Sequence, residues 1–411
     1  MARPRLTARR ASALALAVLI AVAAAAAAAP LGGGAAAAGG GTGTGGSGAN
    51  PYRDDGMWIW YVSHSSGGDP ARIAHRAHRH GIETVYIKSS DGANAWSQFT
   101  PALVSALHAR NLRVCAWQFV YGTHPGAEAR RGAQAVAKGA DCLVIDAEST
   151  YEGRYRAADI YVDKLRHQIG AAFPTALASF PYVDFHPALP YSVFLGKGGA
   201  RFNLPQLYWH TIGDSVRAAY RHTFRFNRVY GRPIEPLGQT FAKPPIRELQ
   251  RFRKLAVSYG FDGVSWWVWQ DTTKREWHAL GHNITTGVSG FQRPDGDFPT
   301  LGGGSRGDLV VWAQEHLRGA GISVRVTGLY RKATVRAVKT FQRTHGLAVD
   351  GRIGAATWRS LLDVTPKMVD WSHQGTPRSA KRSGSRSGPA EPRSASLPAV
   401  RDEIPPPSRR R

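Results

Sequence analysis

The sequence predicts an α/β protein: a (β/α)8 barrel of the TIM type followed by a small all-α domain of three helices. Three observations predict it. Eight short apolar runs, at 57–63, 84–89, 113–120, 142–148, 176–182, 203–210, 234–241 and 263–270, alternate with helix-like stretches. The segments 69–80, 101–110 and 157–171 carry apolar residues at helical spacing, and Gly81, Gly139 and Gly260 stand where helices end, as C-terminal glycines do. Past residue 300, three short helices follow within about 60 residues. The span 51–284 has the size usual for such a barrel, about 250 residues. Eight evenly spaced repeats favour closure over a doubly wound open sheet.

Residues 1–30 read as an export signal. Arg3, Arg5, Arg9 and Arg10 form a basic start, and 11–29 is apolar apart from Ser12 and mostly Ala. A retained membrane anchor is the alternative, since a bilayer needs roughly 20 apolar residues. Residues 31–50 form a Gly/Ala-rich linker, 51–284 the barrel, 285–300 a Gly/Pro-rich linker and 301–365 the helical domain. There Leu309, Trp312, Ala313 and Leu317 share one helix face, a second helix starts at Ala333 and a third near Ala355. Residues 366–411, rich in Ser, Pro and Arg, read as a disordered basic tail, with too little apolar surface to offset its ordering entropy.

The 12 Trp, 14 Tyr and 15 Phe exclude a chain disordered throughout, and two cysteines exclude a disulfide-stapled mini-scaffold. With 53 Lys+Arg against 29 Asp+Glu the net charge is +24. Ten of those charges lie in the basic start and the tail, leaving +14 for the rest. No basic helix carries base-reading residues. The charge therefore points to an anionic cell envelope and not to nucleic acid.

In such a barrel the chemistry lies at the C-terminal ends of the strands. The second run ends in Lys88-Ser89-Ser90-Asp91-Gly92; the third carries Gln118; the fourth ends Asp146-Ala147-Glu148; the fifth ends at Tyr182. The sixth holds Gln206 and Tyr208, the seventh Gln239, and the eighth Trp266, Trp267 and Gln270. Aromatic rings beside amides and carboxylates suit a sugar, because rings stack on the apolar faces of pyranoses and polar groups take the hydroxyls. Lys88, Asp91, Gln118, Tyr182, Gln206, Gln239, Trp266, Trp267 and Gln270 are therefore the expected substrate contacts, with an ion pair the equal alternative for Lys88 and Asp91.

Side chains alternate along a strand, so Cys142, Val144, Asp146 and Glu148 share the lumen side while Leu143, Ile145 and Ala147 face the helices. Two carboxylates about 7 Å apart along a strand push one pKa up and keep one carboxyl protonated near neutrality. Glu148, nearer the mouth and longer in reach, is the expected general acid, and Asp146 the group that tunes it. The plain structural reading is a pair of solvated carboxylates or a salt bridge to Lys88. Glu152, on the loop just beyond, is a lesser carboxylate candidate. His75, His78 and His80 read as an outward helix face, and no strand end offers a close His/Cys/Asp set, so neither metal nor cofactor is expected. Cys115 and Cys142, near the starts of neighbouring strands, either bridge or are two small buried hydrophobes.

The run ending in Asp146-Ala147-Glu148 resembles the fourth strand of muramidase-type lysozymes and of chitinase-type hydrolases. Gln206-Leu207-Tyr208 is similar to the sixth-strand tyrosine motif of the chitinase type, and Ser265-Trp266-Trp267 to its eighth-strand tryptophan floor. The stretch 263–270, ending in Trp269-Gln270, also looks like the last strand of the muramidase type. One departure stands out: the muramidase type opens with an Asp on its first strand, and this chain has Trp60-Tyr61-Val62-Ser63-His64 there. The chitinase resemblance implies that the substrate's own N-acetyl group is the nucleophile, with Glu148, Asp146 and Tyr208 as the protein's catalytic groups.

In the helical domain, Ala333-Thr334-Val335-Arg336-Ala337-Val338-Lys339-Thr340-Phe341-Gln342 is followed by Gly346-Leu347, Asp350-Gly351-Arg352-Ile353-Gly354 and Thr357-Trp358. This resembles the peptidoglycan-binding domain of bacterial wall hydrolases. It departs at Val326-Thr327-Gly328-Leu329-Tyr330-Arg331, a turn. Together the resemblances imply a secreted, monomeric, wall-associated glycoside hydrolase acting on an N-acetylated glycan such as peptidoglycan. The membrane would be touched only through a retained anchor. The alternative is a non-catalytic peptidoglycan-binding protein with a degenerate barrel.

Overall fold

The structure is a computed structural model that describes residues 50–380. The expected export signal, the Gly/Ala-rich linker up to residue 49 and the expected tail from 381 onward lie outside the described residues. Within them, eight strands form the predicted barrel. They are β1 (Asp54–Ile59), β2 (Ile82–Asp91), β3 (Arg113–Val120), β4 (Cys142–Ala147), β5 (Thr175–Ser179), β6 (Phe202–Pro205), β7 (Leu237–Gln239) and β8 (Gly263–Trp267). Consecutive strands pair in parallel from β1 to β6, and β8 pairs with both β1 and β7. Bridges between Asn203 and Ile234 and between Gln206 and Leu237 bring β6 to the β7 segment and nearly close the ring.

Seven helices cover the outside: α1 (Pro70–Arg79), α2 (Pro101–His108), α3 (Pro125–Ala137), α4 (Tyr155–Ile169), α5 (Val216–Asn227), α6 (Ile246–Tyr259) and α7 (Lys274–Leu280). Their starts follow from sequence. Asp69 and Thr100 accept from backbone N–H groups of the first turn, and Pro70 and Pro101 supply the fixed φ that a first helical residue needs. Thr273 and Glu276 form a full capping box on α7. Gly260, at φ +73°, ends α6 in the left-handed conformation that costs other residues energy.

Alternation decides which residues line the lumen. Trp58, Tyr86, Trp117, Cys142, Val144 and Leu204 pack together inside, while Leu143, Ile145 and Ala147 join the layer between strands and helices. Trp58 and Trp117 lie 5.5 Å apart between ring centroids, so the lumen is filled by aromatic rings below the mouth. Cys115 and Cys142 are register partners on β3 and β4, both lumen-facing, and they form a disulfide with a Cα–Cα distance of 4.6 Å.

The wall departs from regularity at one place. Between β5 and β6 there is only a one-turn helix, Tyr191–Phe194. Against that turn packs α8 (Asp308–Gly319), the first helix of the C-terminal domain, which is buried from Asp308 to Leu317. The Trp312 indole N–H donates to Val229 O at 2.7 Å. With α9 (Lys332–Thr344) and α10 (Ala355–Leu362), α8 builds the three-helix domain around Leu317, Phe341, Ile353 and Trp358. Burying side chains of this size contributes about 1.5–3 kcal/mol each. The Gln342 amide ties the connection between α9 and α10, accepting from Gly351 N at 2.9 Å and donating to Arg352 O at 2.8 Å.

Two segments differ from their sequence reading. Residues 285–300 contain no helix or strand, as a linker should, yet they lie on the barrel. Phe298 is buried under the Arg228 guanidinium at 4.1 Å, and Asp297 pairs with Arg221 at 2.9 Å. Residues 366–380 are folded chain, contrary to a disordered tail starting at 366. Trp371 is 3% exposed and packs edge-on to Tyr155 at 5.2 Å, and Thr376 donates to Gly153 O at 3.1 Å. Val369 is buried with it, and Ser372 N donates to Asp159 Oδ2 at 3.0 Å.

Candidate active site

β4 carries the centre. Asp146 and Glu148 stand on the lumen side where the strand passes into a 3-10 turn, Ser149–Tyr151. The Gln206 amide, from the end of β6, donates through one nitrogen to both: 3.0 Å to Asp146 Oδ1 and 3.0 Å to Glu148 Oε1. Asp146 is buried and Glu148 half-buried. Burial pushes the Asp146 carboxyl well above the usual carboxylate range; the Glu148 charge adds to this and the Lys88 ammonium opposes it. Burial also raises Glu148, against the Gln206 hydrogen bond and the charge of His186. Two raised carboxyls joined by one donor form a pair that holds a proton at higher pH than either group would alone. The Tyr208 hydroxyl is raised by burial and by the nearby Asp146 and Glu148 charges, so it remains a donor.

Behind the pair lies a caged cation. Lys88 is 1% exposed, and its ammonium donates to Asp91 Oδ2 at 2.6 Å. It sits over the rings of Trp60, Trp96 and Trp117 at 5.1, 4.3 and 5.0 Å. Asp91 also accepts from the Tyr121 hydroxyl at 2.6 Å. Of the two readings of Lys88 and Asp91, the ion pair is the one present. Lys88 is buried too deeply to meet a sugar from solvent, and its field bears on Asp146 instead.

Asp146, Glu148, Gln206 and Tyr208 come together; Trp267 is a half-buried lumen ring, edge-on to Trp117 at 5.3 Å. The other expected contacts are placed differently. Gln118 follows the inward Trp117, so alternation turns it outward, and it donates to Glu128 O of α3 at 3.3 Å. Trp266 is likewise outward and fully buried, packed on Phe252 of α6 at 5.1 Å. Gln239 is fully buried and its oxygen accepts from His210 N and Thr211 N at 3.0 and 3.1 Å, so it braces the chain after β6. Tyr182 is 4% exposed, bonded to Asp214 at 2.5 Å and stacked on His222 at 4.0 Å. Gln270 donates to Tyr61 O at 2.7 Å and ties the loop after β8 to the loop after β1. These five hold the scaffold of the mouth.

Sequence reasoning missed His186, whose ring stacks on Phe180 at 3.5 Å and whose Nδ1 lies 2.8 Å from Glu152 Oε1. It also missed Trp96, part of the Lys88 cage. Both sit on loops without periodicity, so only a spatial neighbour could have marked them. Among the described residues no group of three His, Cys, Asp or Glu side chains is arranged to hold a metal ion, and no helix is long and apolar enough to cross a membrane. The geometry can donate a proton at the mouth from the half-buried Glu148 carboxyl, steady a neighbouring charge with Asp146, and offer hydroxyl and ring contacts to a ligand.

No curated protein matches the chain significantly. Among solved structures, a peptidoglycan-binding protein from Clostridioides difficile is 36% identical over 15% of this chain, with a TM-score of 0.15, and this chain spans 40% of its length. The SleB N-terminal domain is 32% identical over 16% of this chain and 90% of its own, with a TM-score of 0.16. A fungal endo-β-N-acetylglucosaminidase of glycosyl hydrolase family 18 is 12% identical over 55% of this chain and 95% of its own, with a TM-score of 0.41. Residues 306–361, which span α8, α9 and most of α10, match the family model of a putative peptidoglycan binding domain.

Proposed function

We propose that the chain is a secreted glycoside hydrolase of the cell wall that cleaves an N-acetylated glycan such as peptidoglycan and is held on that polymer by its helical domain. The observation that carries this reading is the Asp146–Glu148 pair, raised by burial and bridged by Gln206 at the mouth of a barrel that is followed, at residues 306–361, by a match to a peptidoglycan-binding domain. Glu148 in its protonated form gives its proton to the glycosidic oxygen. β1 carries its two carboxylates, Asp54 and Asp55, at its N-terminal end, and its C-terminal end runs Ile59-Trp60-Tyr61, so no carboxylate of the first strand stands at the mouth to attack the sugar. The pair shares its proton; with the proton on Glu148, Asp146 is left ionised and stabilises the positive charge that develops as the substrate's N-acetyl carbonyl attacks, while Tyr208 orients the acetamido group. Tethering by the helical domain raises the local concentration of a weakly held glycan.

A panel of soluble N-acetylated oligosaccharides and purified sacculi, read by product mass spectrometry, tests this. Fragments cut at glycosidic bonds support it. Sedimentation of the chain with sacculi but no product from any glycan overturns the enzyme reading and leaves a binding protein with an inactive barrel.

A further inference from the structure

The Asp308 carboxylate, at the start of α8, is fully buried and accepts four hydrogen bonds from the barrel. Oδ1 takes the Tyr155 hydroxyl at 2.8 Å and the Ser192 hydroxyl at 2.7 Å; Oδ2 takes Ser192 N at 2.8 Å and the Tyr230 hydroxyl at 2.8 Å. Its backbone N–H donates to Pro187 O at 2.8 Å. The approach is so close that a Cβ on the preceding Gly307 would lie 2.5 Å from Pro187 Cβ. Four donors converging on one buried carboxylate are more than a helix start requires, and none of them comes from the helical domain.

Three of the four donors come from the connections after β4 and β5, which frame the mouth; the fourth, the Tyr230 hydroxyl, comes from the 3-10 turn Arg228–Tyr230 between α5 and β7. Tyr155 ends the loop that begins at Glu148. Pro187 and Ser192 belong to the loop after β5, where His186 bonds Glu152 and stacks on Phe180. Gly153 N donates to Ala188 O at 2.8 Å, joining the two loops to each other. The barrel lacks a full helix between β5 and β6, and α8 occupies the side of the wall where that helix would brace them.

We infer that Asp308 is a positioning residue: through it the helical domain completes the barrel wall and fixes the two loops on which Glu152 and His186 pair just beyond Glu148. The helical domain is thus a structural part of the catalytic mouth as well as a wall anchor. The inference rests on the proposed hydrolase function for its rate consequences but not for its structural ones.

The test uses the full chain with Asp308→Asn, Asp308→Ala and Tyr230→Phe, the last a milder change that removes one donor. Hydrogen exchange is measured by mass spectrometry, and hydrolysis of a soluble N-acetylated oligosaccharide is measured well below each variant's unfolding temperature. Exchange should rise in 148–155 and 180–192 while β1 to β3 keep wild-type protection. The turnover number should fall about tenfold or more with KM within twofold, as loss of alignment without loss of contacts would give. Unchanged exchange in both loops overturns the inference whether or not the chain is active. Raised exchange with unchanged kcat overturns the positioning role and leaves a purely structural dock. A chain inactive as wild type overturns the proposed hydrolase function, and the exchange result still decides the docking role. If the Asp308 variants do not fold, Tyr230→Phe alone carries both readouts.

Discussion

Replacing Gln206 with Leu removes the one donor shared by Asp146 and Glu148 at nearly constant volume. Two hydrogen bonds of 3.0 Å are lost, one on each carboxyl. A hydrogen bond to a charged group contributes about 1.5–3 kcal/mol, and one pKa unit corresponds to about 1.4 kcal/mol. Each carboxyl is already raised by burial, with Gln206 acting to lower it. Its loss should therefore raise the apparent pKa values of the pair by about one unit or more. The alkaline limb of kcat reports loss of the catalytic proton, so it moves upward by about one pH unit. The maximum rate falls about 10- to 100-fold, because the proton is held more tightly and the two side chains lose their common orientation. The assay is a pH–rate profile from pH 4 to 9 on a soluble N-acetylated oligosaccharide. Superimposable wild-type and Gln206→Leu profiles would refute the assignment of these two carboxyls as the titrating pair.

Other outcomes follow from the scaffold. Cys115→Ser with Cys142→Ser opens a link spanning 27 residues and should lower stability by about 3–4 kcal/mol on a chain-entropy basis; identical urea midpoints for the two proteins would contradict this. Glu235 is buried, accepts from Gly263 N at 2.8 Å, and is pushed up to about 8 by burial. A raised acid favours folding while both states are protonated, below about pH 4.5, and this contribution is lost as pH rises through 8. Glu235→Gln should therefore flatten the fall in melting temperature between pH 5 and 9. Trp358→Ala empties the centre of the helical domain, where the indole also donates to Pro299 O at 2.8 Å. It should cost about 3–5 kcal/mol and end co-sedimentation with sacculi, which a pull-down reads directly.

Most of the fold is legible in the sequence, because apolar periodicity and glycine stops are local signals. The eight runs each contain or overlap a strand, and the (β/α)8 order follows from their count. The Asp146–Glu148 pair is legible for the same reason: alternation on a single strand fixes its side once Val144 is placed inside. The same rule, applied to β3 and β8, turns Gln118 and Trp266 outward, so those two were decidable from the strand pattern alone. Gln239 and Tyr182 were not. Their polar atoms are consumed by Thr211 and Asp214, partners far along the chain. The docking of α8 left no local mark either. Asp308 has the sequence of an ordinary helix start, and only the convergence of Tyr155, Ser192 and Tyr230 reveals its use.

The most direct measurement compares wild type with Glu148→Gln on purified sacculi, recording soluble fragments by mass and bound protein by sedimentation in one experiment. The proposed function predicts glycosidic fragments from wild type, none above background from Glu148→Gln, and equal binding by both. Equal fragment release by both proteins would contradict Glu148 as the acid.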